Sequence, residues 1–210
     1  MPHFTDITGL AGIALAIVAC ALRLPVAARL QPRQQAWLAG ALLVELAIPF
    51  GGLSAAELIR GITGDLSITT LVVVLALRGN GGTANANALS HEPLAGAAIG
   101  HHEKYSLLAF VTITALALYP FALGVGMFDP YRLGFGNLWL IAGLLLVTLI
   151  AWIRHYTLVA LSISLAVLAW SLGWYESNNL WDYLLDPWVS IYALGALFKH
   201  TVSIGAKRLF

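Results

Sequence analysis

The stretch WLAGALLVELAIPFGG, residues 37–52, places one carboxylate, Glu45, inside a long apolar run. An ionised carboxylate at membrane depth is costly unless it is paired, protonated or hydrated, so such a group marks a candidate site for proton or cation handling. Pro49 lacks an N–H and therefore leaves the Glu45 carbonyl as an acceptor beside the carboxyl. The alternative is a neutral carboxyl that donates a hydrogen bond to another helix.

Acidic side chains in three polar connections form a second set of candidates. They are Glu57, Asp65, Asp129, Glu176, Asp182 and Asp186, accompanied by Arg60, Arg132, Asn178 and Asn179. If the connections converge, the carboxylates form an acidic mouth that concentrates cations, binds a divalent ion or offers acid and base groups to a substrate. Arg132, in the short loop FDPYRLGFG, is the candidate for holding an anionic headgroup. The alternative is that both arginines pair with nearby acids and the other carboxylates are hydrated caps.

Histidines form the third set, since neutral imidazoles from different helices can hold a metal ion or the iron of a b-type haem. The candidates are His101, His155 and His200. No HExxH or HxH spacing is present, and the adjacent His101 and His102 point apart on a helix. The sequence therefore predicts no firm metal site, and the cofactor stays unknown.

The composition predicts what kind of scaffold must position these groups. Of the 210 residues, 60% are hydrophobic and only 10% are charged, whereas soluble domains are about 25% charged. The formal charge is +1 and no basic run is present, so nucleic acid is excluded as an expected partner. No Walker A loop, no GxSxG elbow and no lysine deep in the last apolar segment, as a retinal Schiff base would need, is present. We expect an integral membrane protein in contact with lipid.

Apolar segments of about 20 residues are needed to cross a bilayer. Seven candidate segments are present: Ile7 to Leu24, Ala36 to Leu53, Asp65 to Leu77, Tyr105 to Phe128, Asn137 to Ile153, Tyr156 to Trp174, and Leu184 to His200. The fifth and sixth are separated at Arg154-His155 because one uncut helix would far exceed the thickness of a bilayer. The sequence thus predicts a polytopic all-α bundle of about seven transmembrane helices, or six if the short segment from Asp65 to Leu77 does not cross.

Basic residues give the orientation. With seven spans and the N-terminus outside, nine of the eleven basic residues fall on the cytoplasmic side, as the positive-inside rule requires. They are Arg23, Arg29, Arg33, Arg78, Lys104, Arg154, Lys199, Lys207 and Arg208, while Arg60 and Arg132 fall outside. The C-terminus is then cytoplasmic. We expect the cytoplasmic (inner) membrane of a bacterium.

The chain is predicted to be one domain, residues 1–210, with two long connections. Residues 79–104 form a cytoplasmic loop that begins with Gly, Asn and Ala and is typical of a mobile tether. Residues 174–187 form an acidic extracytoplasmic loop whose tryptophans and tyrosines anchor at the membrane interface. Asp65 is predicted to cap a new helix from Leu66, and Asp186 to cap a helix with Pro187 near its start.

Three functions fit these features. The first is a small permease or channel-like protein that uses Glu45 and the acidic mouth. The second is a membrane subunit of a larger complex, with a partner subunit or a second copy of the chain packed beside it. The third is a membrane-embedded enzyme that uses the outer acids and Arg132 on a lipid-linked or headgroup substrate. The sequence does not decide whether the protein is an enzyme.

Overall fold

Helices form almost all of the regular structure in the computed structural model, which describes residues 4–79 and 101–208. The ten α-helices of these residues are α1 Phe4–Ala21, α2 Pro25–Ala28, α3 Pro32–Ala47, α4 Ala55–Thr63, α5 Ile68–Gly79, α6 His101–Ala122, α7 Leu138–Ile153, α8 Thr157–Ser171, α9 Leu180–Leu184 and α10 Pro187–Arg208. A 3₁₀ helix spans Pro130–Gly134, and strands β1, Pro49–Phe50, and β2, Leu53–Ser54, pair antiparallel. The predicted all-α class is confirmed for the described residues.

Two of these helices are long and apolar enough to cross a membrane. They are Phe4–Ala21 and His102–Ala122. A third span is obtained if α4 and α5, which are bent by 115° at a short break, together form one crossing. The helices Leu138–Ile153 and Thr157–Ser171 are apolar but shorter. The described residues therefore contain two or three candidate spans and two shorter apolar helices.

The prediction of seven clear spans is not confirmed, although each of the seven segments contains a helix. The second segment fails because α3 ends at Ala47 and the chain then forms the β1–β2 hairpin, whose turn glycines Gly51 and Gly52 have positive φ angles. The helices α7 and α8 have 16 and 15 residues. At 1.5 Å per residue each is shorter than the roughly 30 Å hydrocarbon core of a bilayer.

The chain divides into two structural units. Of the described residues, the first unit contains 4–66, 74–79 and 174–176, and the second contains 67–73, 101–173 and 177–208. Helix α5 contributes its beginning to the second unit and its end to the first. The predicted single domain stays a prediction.

The first unit is built on α1, because small residues on one of its faces allow close packing. Gly9, Gly12, Ala16 and Ala19 are buried along that face. A cluster of Val18, Leu22, Leu46 and Ala56 then joins α1, α3 and α4. Burial of such side chains contributes about 1.5 to 3 kcal/mol for each large aliphatic group.

The second unit is built on α6, whose buried residues recur at helical spacing. Leu107, Leu108, Val111, Ala115 and Leu118 are all less than a tenth exposed. Helices α8, α9 and α10 contribute buried residues that include Ile163, Leu184 and Ala193. By contrast, α7 is apolar on all sides and buries only Leu144 and Ala151, a pattern typical of a helix with an apolar environment outside the chain.

The predicted break between the fifth and sixth segments is confirmed. Helix α7 ends at Ile153 and α8 begins at Thr157. Between them His155 adopts a left-handed conformation with φ of 59°, which reverses the chain without glycine or proline. The side chain of Glu103 completes the turn because it accepts hydrogen bonds from the first backbone N–H groups of α8, with Leu158 at 3.3 Å.

The two predicted long connections have different outcomes. Residues 80–100 of the cytoplasmic loop lie outside the described residues, and α6 already begins at His101. The acidic connection, residues 174–187, contains helix α9. The rings of Tyr175, Trp181 and Tyr183 are buried in the protein, so their predicted role as interfacial anchors is wrong. Trp174 is 39% exposed.

Candidate functional site

Arg60 is the centre of a carboxylate cluster in the first unit. Helix α4 begins with a capping box, in which Ser54 and Glu57 bond each other's backbone N–H groups, and this fixes the direction from which Arg60 extends. Its guanidinium contacts both carboxylate oxygens of Asp65, with Nε 2.6 Å from Oδ1, and a second nitrogen lies 2.9 Å from Asp6 Oδ1. Glu176 lies at 3.5 Å and is 67% exposed. Asp65 therefore pairs with Arg60, and its predicted role as a helix cap is wrong, because Ser67 caps α5 by accepting from the Thr70 N–H.

The cluster depends on a glycine of α1. A Cβ atom at Gly9 would overlap the Asp65 carboxylate and lie 2.8 Å from Arg60 Nε. Next to it, the Thr8 hydroxyl donates to the carbonyl of Trp174 and holds residues 174–176 against α1. Gly9 thus permits the close approach on which the ion pairs rely.

Asp186 is buried in the second unit and joins the starts of two helices. One carboxylate oxygen accepts from the Ser67 N–H at 2.8 Å and from the Thr70 hydroxyl, at the start of α5. The other accepts from the Val189 N–H at 2.9 Å, at the start of α10. The prediction that Asp186 caps a helix with Pro187 at its first position is confirmed. The carboxylate is stabilised by both helix N-termini. Its role in this unit is therefore structural.

Tyr131 and Asp182 form a second, partly buried contact in the same unit. The Tyr131 hydroxyl donates to Asp182 Oδ1 at 2.9 Å, and the Ser177 hydroxyl donates to the other oxygen. Asp129 accepts from the Tyr131 N–H at 3.0 Å and starts the 3₁₀ helix. Two of the predicted outer acids, Asp129 and Asp182, thus both bond to Tyr131. There they stabilise the loops that contain them.

Asn179 joins the same loops through hydrogen bonds of its side chain. Its side-chain oxygen accepts from the Trp181 N–H to cap α9, and its amide donates to the Tyr131 carbonyl at 3.0 Å. The Trp181 indole N–H donates to the Pro130 carbonyl at 3.0 Å. Gly134 lies directly against this pair, since a Cβ there would overlap the Asn179 amide. Two side-chain hydrogen bonds therefore hold the 3₁₀ helix against α9.

The close approach at Gly134 gives a stability prediction. Gly134→Ala should destabilise the protein by about 2 kcal/mol, because an added methyl forces the buried Asn179 to move. Gly143→Ala in α7 is the matched control, as a Cβ there meets nothing within 4 Å and alanine is the better helix former. Denaturant unfolding in detergent micelles, followed by circular dichroism, measures both. Equal stability of the two variants would contradict the prediction.

The ionisation of Tyr131 gives a pH prediction. Partial burial, followed by the hydrogen bond to Asp182, raises the pKa of Tyr131 to about 12. Since the neutral phenol is the form that folding favours, the contribution is complete below pH about 10 and is lost as the pH rises through about 12. The phenolate absorbance difference between the parent and Tyr131→Phe should have its midpoint near 12, and Asp182→Asn should move it down. A midpoint near 10 in both backgrounds would refute this.

Three of the predicted site residues are exposed in the described structure. Arg132 lies exposed in the 3₁₀ helix. Glu45 lies exposed on α3, one residue before Leu46, the buried residue of that helix. His155 is exposed in the α7–α8 turn. None of these three is drawn into the carboxylate clusters.

The histidines whose side chains the structure describes form no cluster typical of a metal site. His200 stacks on Tyr105 with ring centroids 3.9 Å apart, and the side chain of His101 lies outside the described part of the chain. Among the described residues no three His, Cys, Asp or Glu side chains group as metal ligands. The haem or metal hypothesis stays a prediction.

The sequence did not reveal the hydrogen-bond donors that contact the acidic side chains. Ser67, Thr70, Tyr131 and Ser177 carry the hydroxyl and backbone donors, and none of them stands out in composition. A usable signal was present only for Asn179, because Asn followed by an apolar helical run is a typical cap. The contacts to Ser67 and Thr70 join positions more than a hundred residues apart, which spacing does not reveal.

These features define a helical protein with candidate membrane spans whose acidic clusters are bound by its own donors. No family model, no curated protein and no solved structure matches the chain.

Proposed function

We propose that the chain is a multi-pass subunit of a larger assembly in the bacterial cytoplasmic membrane, and that α3 is the helix that contacts its partner. The observation that carries the proposal is the exposure of Glu45 on that helix. A carboxylate that faces lipid is expensive, whereas one that faces a donor on another protein is stabilised. Helix α3 is not one of the candidate spans or shorter apolar helices, so the proposal takes Glu45 to lie at membrane depth, where an exposed carboxylate favours an interface over a lipid contact.

The packing of α3 supports this role. Leu38, Ala39 and Leu42 pack against the core of the first unit, and Leu46 is buried. Trp37 and Val44, on another side of the helix, are 73% and 60% exposed, and Ile48, directly after the helix, is 54% exposed. These three residues, with Glu45, are called the α3 face. Its large apolar side chains and single carboxylate are suited to a helix with a complementary donor.

The chemistry of Glu45 favours a different protein as the partner. A second copy related by twofold symmetry would bring two Glu45 carboxylates together, and like charges at one site disfavour ionisation. A helix that carries a lysine, an arginine or a hydrogen-bond donor at the depth of Glu45 satisfies the carboxylate directly. The partner proposed for the α3 face is thus a membrane helix of another protein that carries such a side chain.

The experiment is site-specific photocrosslinking in native membranes. A photoreactive amino acid at Val44, on the α3 face, should give one discrete adduct with a second protein. The same amino acid at Leu145 on α7, which is 59% exposed, is the matched control and should give lipid adducts only. An adduct of twice the mass of this chain, or no protein adduct at Val44, would contradict the proposal.

Variants then test the chemistry of the face. Glu45→Leu should reduce the Val44 adduct about fivefold or more, because the partner's donor loses its acceptor in an apolar setting. Glu45→Gln keeps an acceptor and should retain most of it. Trp37→Ala should weaken the adduct, while Trp139→Ala, which removes an exposed tryptophan of α7, should not. Equal adduct yields from all four variants would leave Glu45 without this role.

A small permease is the second candidate, favoured by the bent pair α4 and α5. Broken helices near a substrate are a device of transporters. Here the start of α5 binds the protein's own Asp186, so the position that a substrate anion takes in such a device is filled. Proteoliposomes should therefore show no pH-dependent flux that Glu45→Gln abolishes. Such a flux would support the permease function and contradict the proposal that the chain is a subunit.

A further inference from the structure

Helix α7 exposes apolar side chains over most of its circumference. Of its 16 residues only Leu144 and Ala151 are buried. Large side chains are exposed along the whole helix, from Trp139 at 85% near its start to Trp152 at 70% near its end. Packing against α8 and the 3₁₀ helix therefore covers only a narrow side of α7. The exposed remainder requires an apolar environment that the described residues do not supply.

The composition of α7 favours lipid over a second protein helix as that environment. Membrane helices approach each other closely where small residues are spaced four apart, or where polar side chains bond across the interface. No two Gly, Ala, Ser or Thr residues of α7 are four positions apart. Its one polar side chain, Thr148, already donates to the Leu144 carbonyl at 2.7 Å. The exposed side of α7 thus has the features of a lipid contact and lacks those of a helix interface.

The apolar part of α7 is short and has polar residues at both ends. Its 16 residues span about 24 Å, whereas the hydrocarbon core of a bilayer is about 30 Å thick. Asn137 caps the start of the helix by accepting from the Trp139 N–H at 2.9 Å, and Arg154 and His155 are exposed directly after its end. Helix α8, with 15 residues, is no longer than α7. The two helices therefore form an apolar hairpin that is about 6 Å too short for an average bilayer.

Two exposed tryptophans lie near the two ends of α7. Trp139 and Trp152 are thirteen residues apart, which is about 20 Å along the helix axis. Tryptophan is enriched at both interfaces of a bilayer, so this separation fits a bilayer that is thinner than average. By contrast, α6 in the same unit has 22 residues, about 33 Å, and is long enough to cross an ordinary bilayer.

We infer that the α7–α8 hairpin crosses a locally thin bilayer and preferentially contacts lipids with short acyl chains. A bilayer adapts to a helix shorter than its core by thinning, and lipids with short chains reach that thickness without being compressed. The side chain of Arg154 extends the reach of the hairpin to the headgroups at one end only. The inference rests on the membrane location in the proposed function, and it does not depend on the partner proposed for α3.

Local fluorescence quenching by brominated lipid measures the preference. Cys20→Ser removes the only native cysteine, and Leu145→Cys places a bimane label in the middle of α7. The full chain is reconstituted in brominated dioleoyl phosphatidylcholine mixed with unbrominated dimyristoleoyl or dierucoyl phosphatidylcholine, which have shorter and longer chains. We expect the short-chain lipid to displace the quencher from α7 more effectively than the long-chain lipid. The ratio of the two association constants should be about threefold or more.

A label in the middle of α6 is the matched control. Ile113 is an aliphatic residue with 68% exposure, close to the 59% of Leu145, and it is likewise replaced by cysteine. The ratio at Ile113 should be near one, because α6 is long enough for an ordinary bilayer. A ratio near one at both positions, or a preference for the long-chain lipid at Leu145, would overturn the inference. Quenching at Ile113 alone would overturn it and leave the membrane location standing, whereas no quenching at either position would contradict both.

Tryptophan variants test the position of the two interfaces. Trp139→Leu with Trp152→Leu keeps the apolar surface and removes the interfacial side chains, so the ratio at Leu145 should fall about twofold. Trp37→Leu, which removes an exposed tryptophan of α3, is the control and should leave the ratio unchanged. Melting temperatures of all variants report folding. An unchanged ratio in the folded double variant would refute the interfacial position of these two tryptophans, on which the inferred thickness depends.

Discussion

Asp186→Ala is expected to lower the free energy of unfolding by about 3 to 5 kcal/mol, among the largest effects of any single substitution in the protein. The carboxylate is 5% exposed and accepts from three donors in two helices. Alanine leaves the N–H groups of Ser67 and Val189 without an acceptor, and the Thr70 hydroxyl keeps only its contact with the Ser67 hydroxyl at 3.1 Å. Each buried donor left unsatisfied costs about 1 to 3 kcal/mol, and relaxation with entry of water offsets part of the sum.

Two further variants apportion this loss. Asp186→Asn keeps one acceptor oxygen, so only one of the two helix starts stays bonded, and the expected loss is about 1 to 2 kcal/mol. Thr70→Val removes the hydroxyl alone and should cost about 1 kcal/mol. Denaturant titration in mixed micelles, followed by circular dichroism, measures all three. The interpretation fails if Asp186→Ala is no less stable than Thr70→Val.

Arg60→Ala is expected to cost about 2 to 4 kcal/mol. The guanidinium, 17% exposed, neutralises Asp65 and Asp6, which are 19% and 30% exposed. Without it the two partly buried carboxylates lose the guanidinium that both contact, and they repel each other. Arg60→Lys should recover only part of the loss, because an ammonium does not make the two-pronged contact with Asp65.

A charge control and a packing variant separate the causes of that loss. Glu176→Gln should change stability by less than about 0.5 kcal/mol, since Glu176 is 67% exposed and its contact is screened by water. Gly9→Ala should destabilise the protein with every charge retained, because the methyl displaces Asp65 from Arg60. If Arg60→Ala and Glu176→Gln have equal stability, the cluster is an ordinary surface ion pair.

Patterns that depend on neighbouring residues were predictable from the sequence. The break at Arg154-His155 and the cap at Asp186 with Pro187 follow from helix length and local donor geometry. The length of the helix in the segment from Ala36 to Leu53 was not predictable, because hydropathy does not distinguish an apolar helix from an apolar hairpin. The pair Gly51 and Gly52, both with positive φ, supplies the turn that ends the helical run.

The acidic side chains could be identified as candidates from the sequence, but their hydrogen-bond partners could not. The sequence places Asp182 and Asp186 in one short connection and leaves two interpretations, a shared acidic mouth or hydrated caps beside paired arginines. In the structure Asp186 turns inward to Ser67 and Asp182 bonds Tyr131. Hydroxyl and backbone donors lie close to these acids only after the chain folds, so their pairing is a tertiary property.

The bonds of Asp186 have a consequence for biosynthesis. Ser67 leaves the ribosome 119 residues before the carboxylate that binds its N–H. At about 5 to 20 residues per second, translation of that interval takes on the order of 6 to 24 seconds. During this time the beginning of α5 lacks the acceptor that it has in the finished protein, so this helix start reaches its final hydrogen bonding only after the start of α10 has been synthesised.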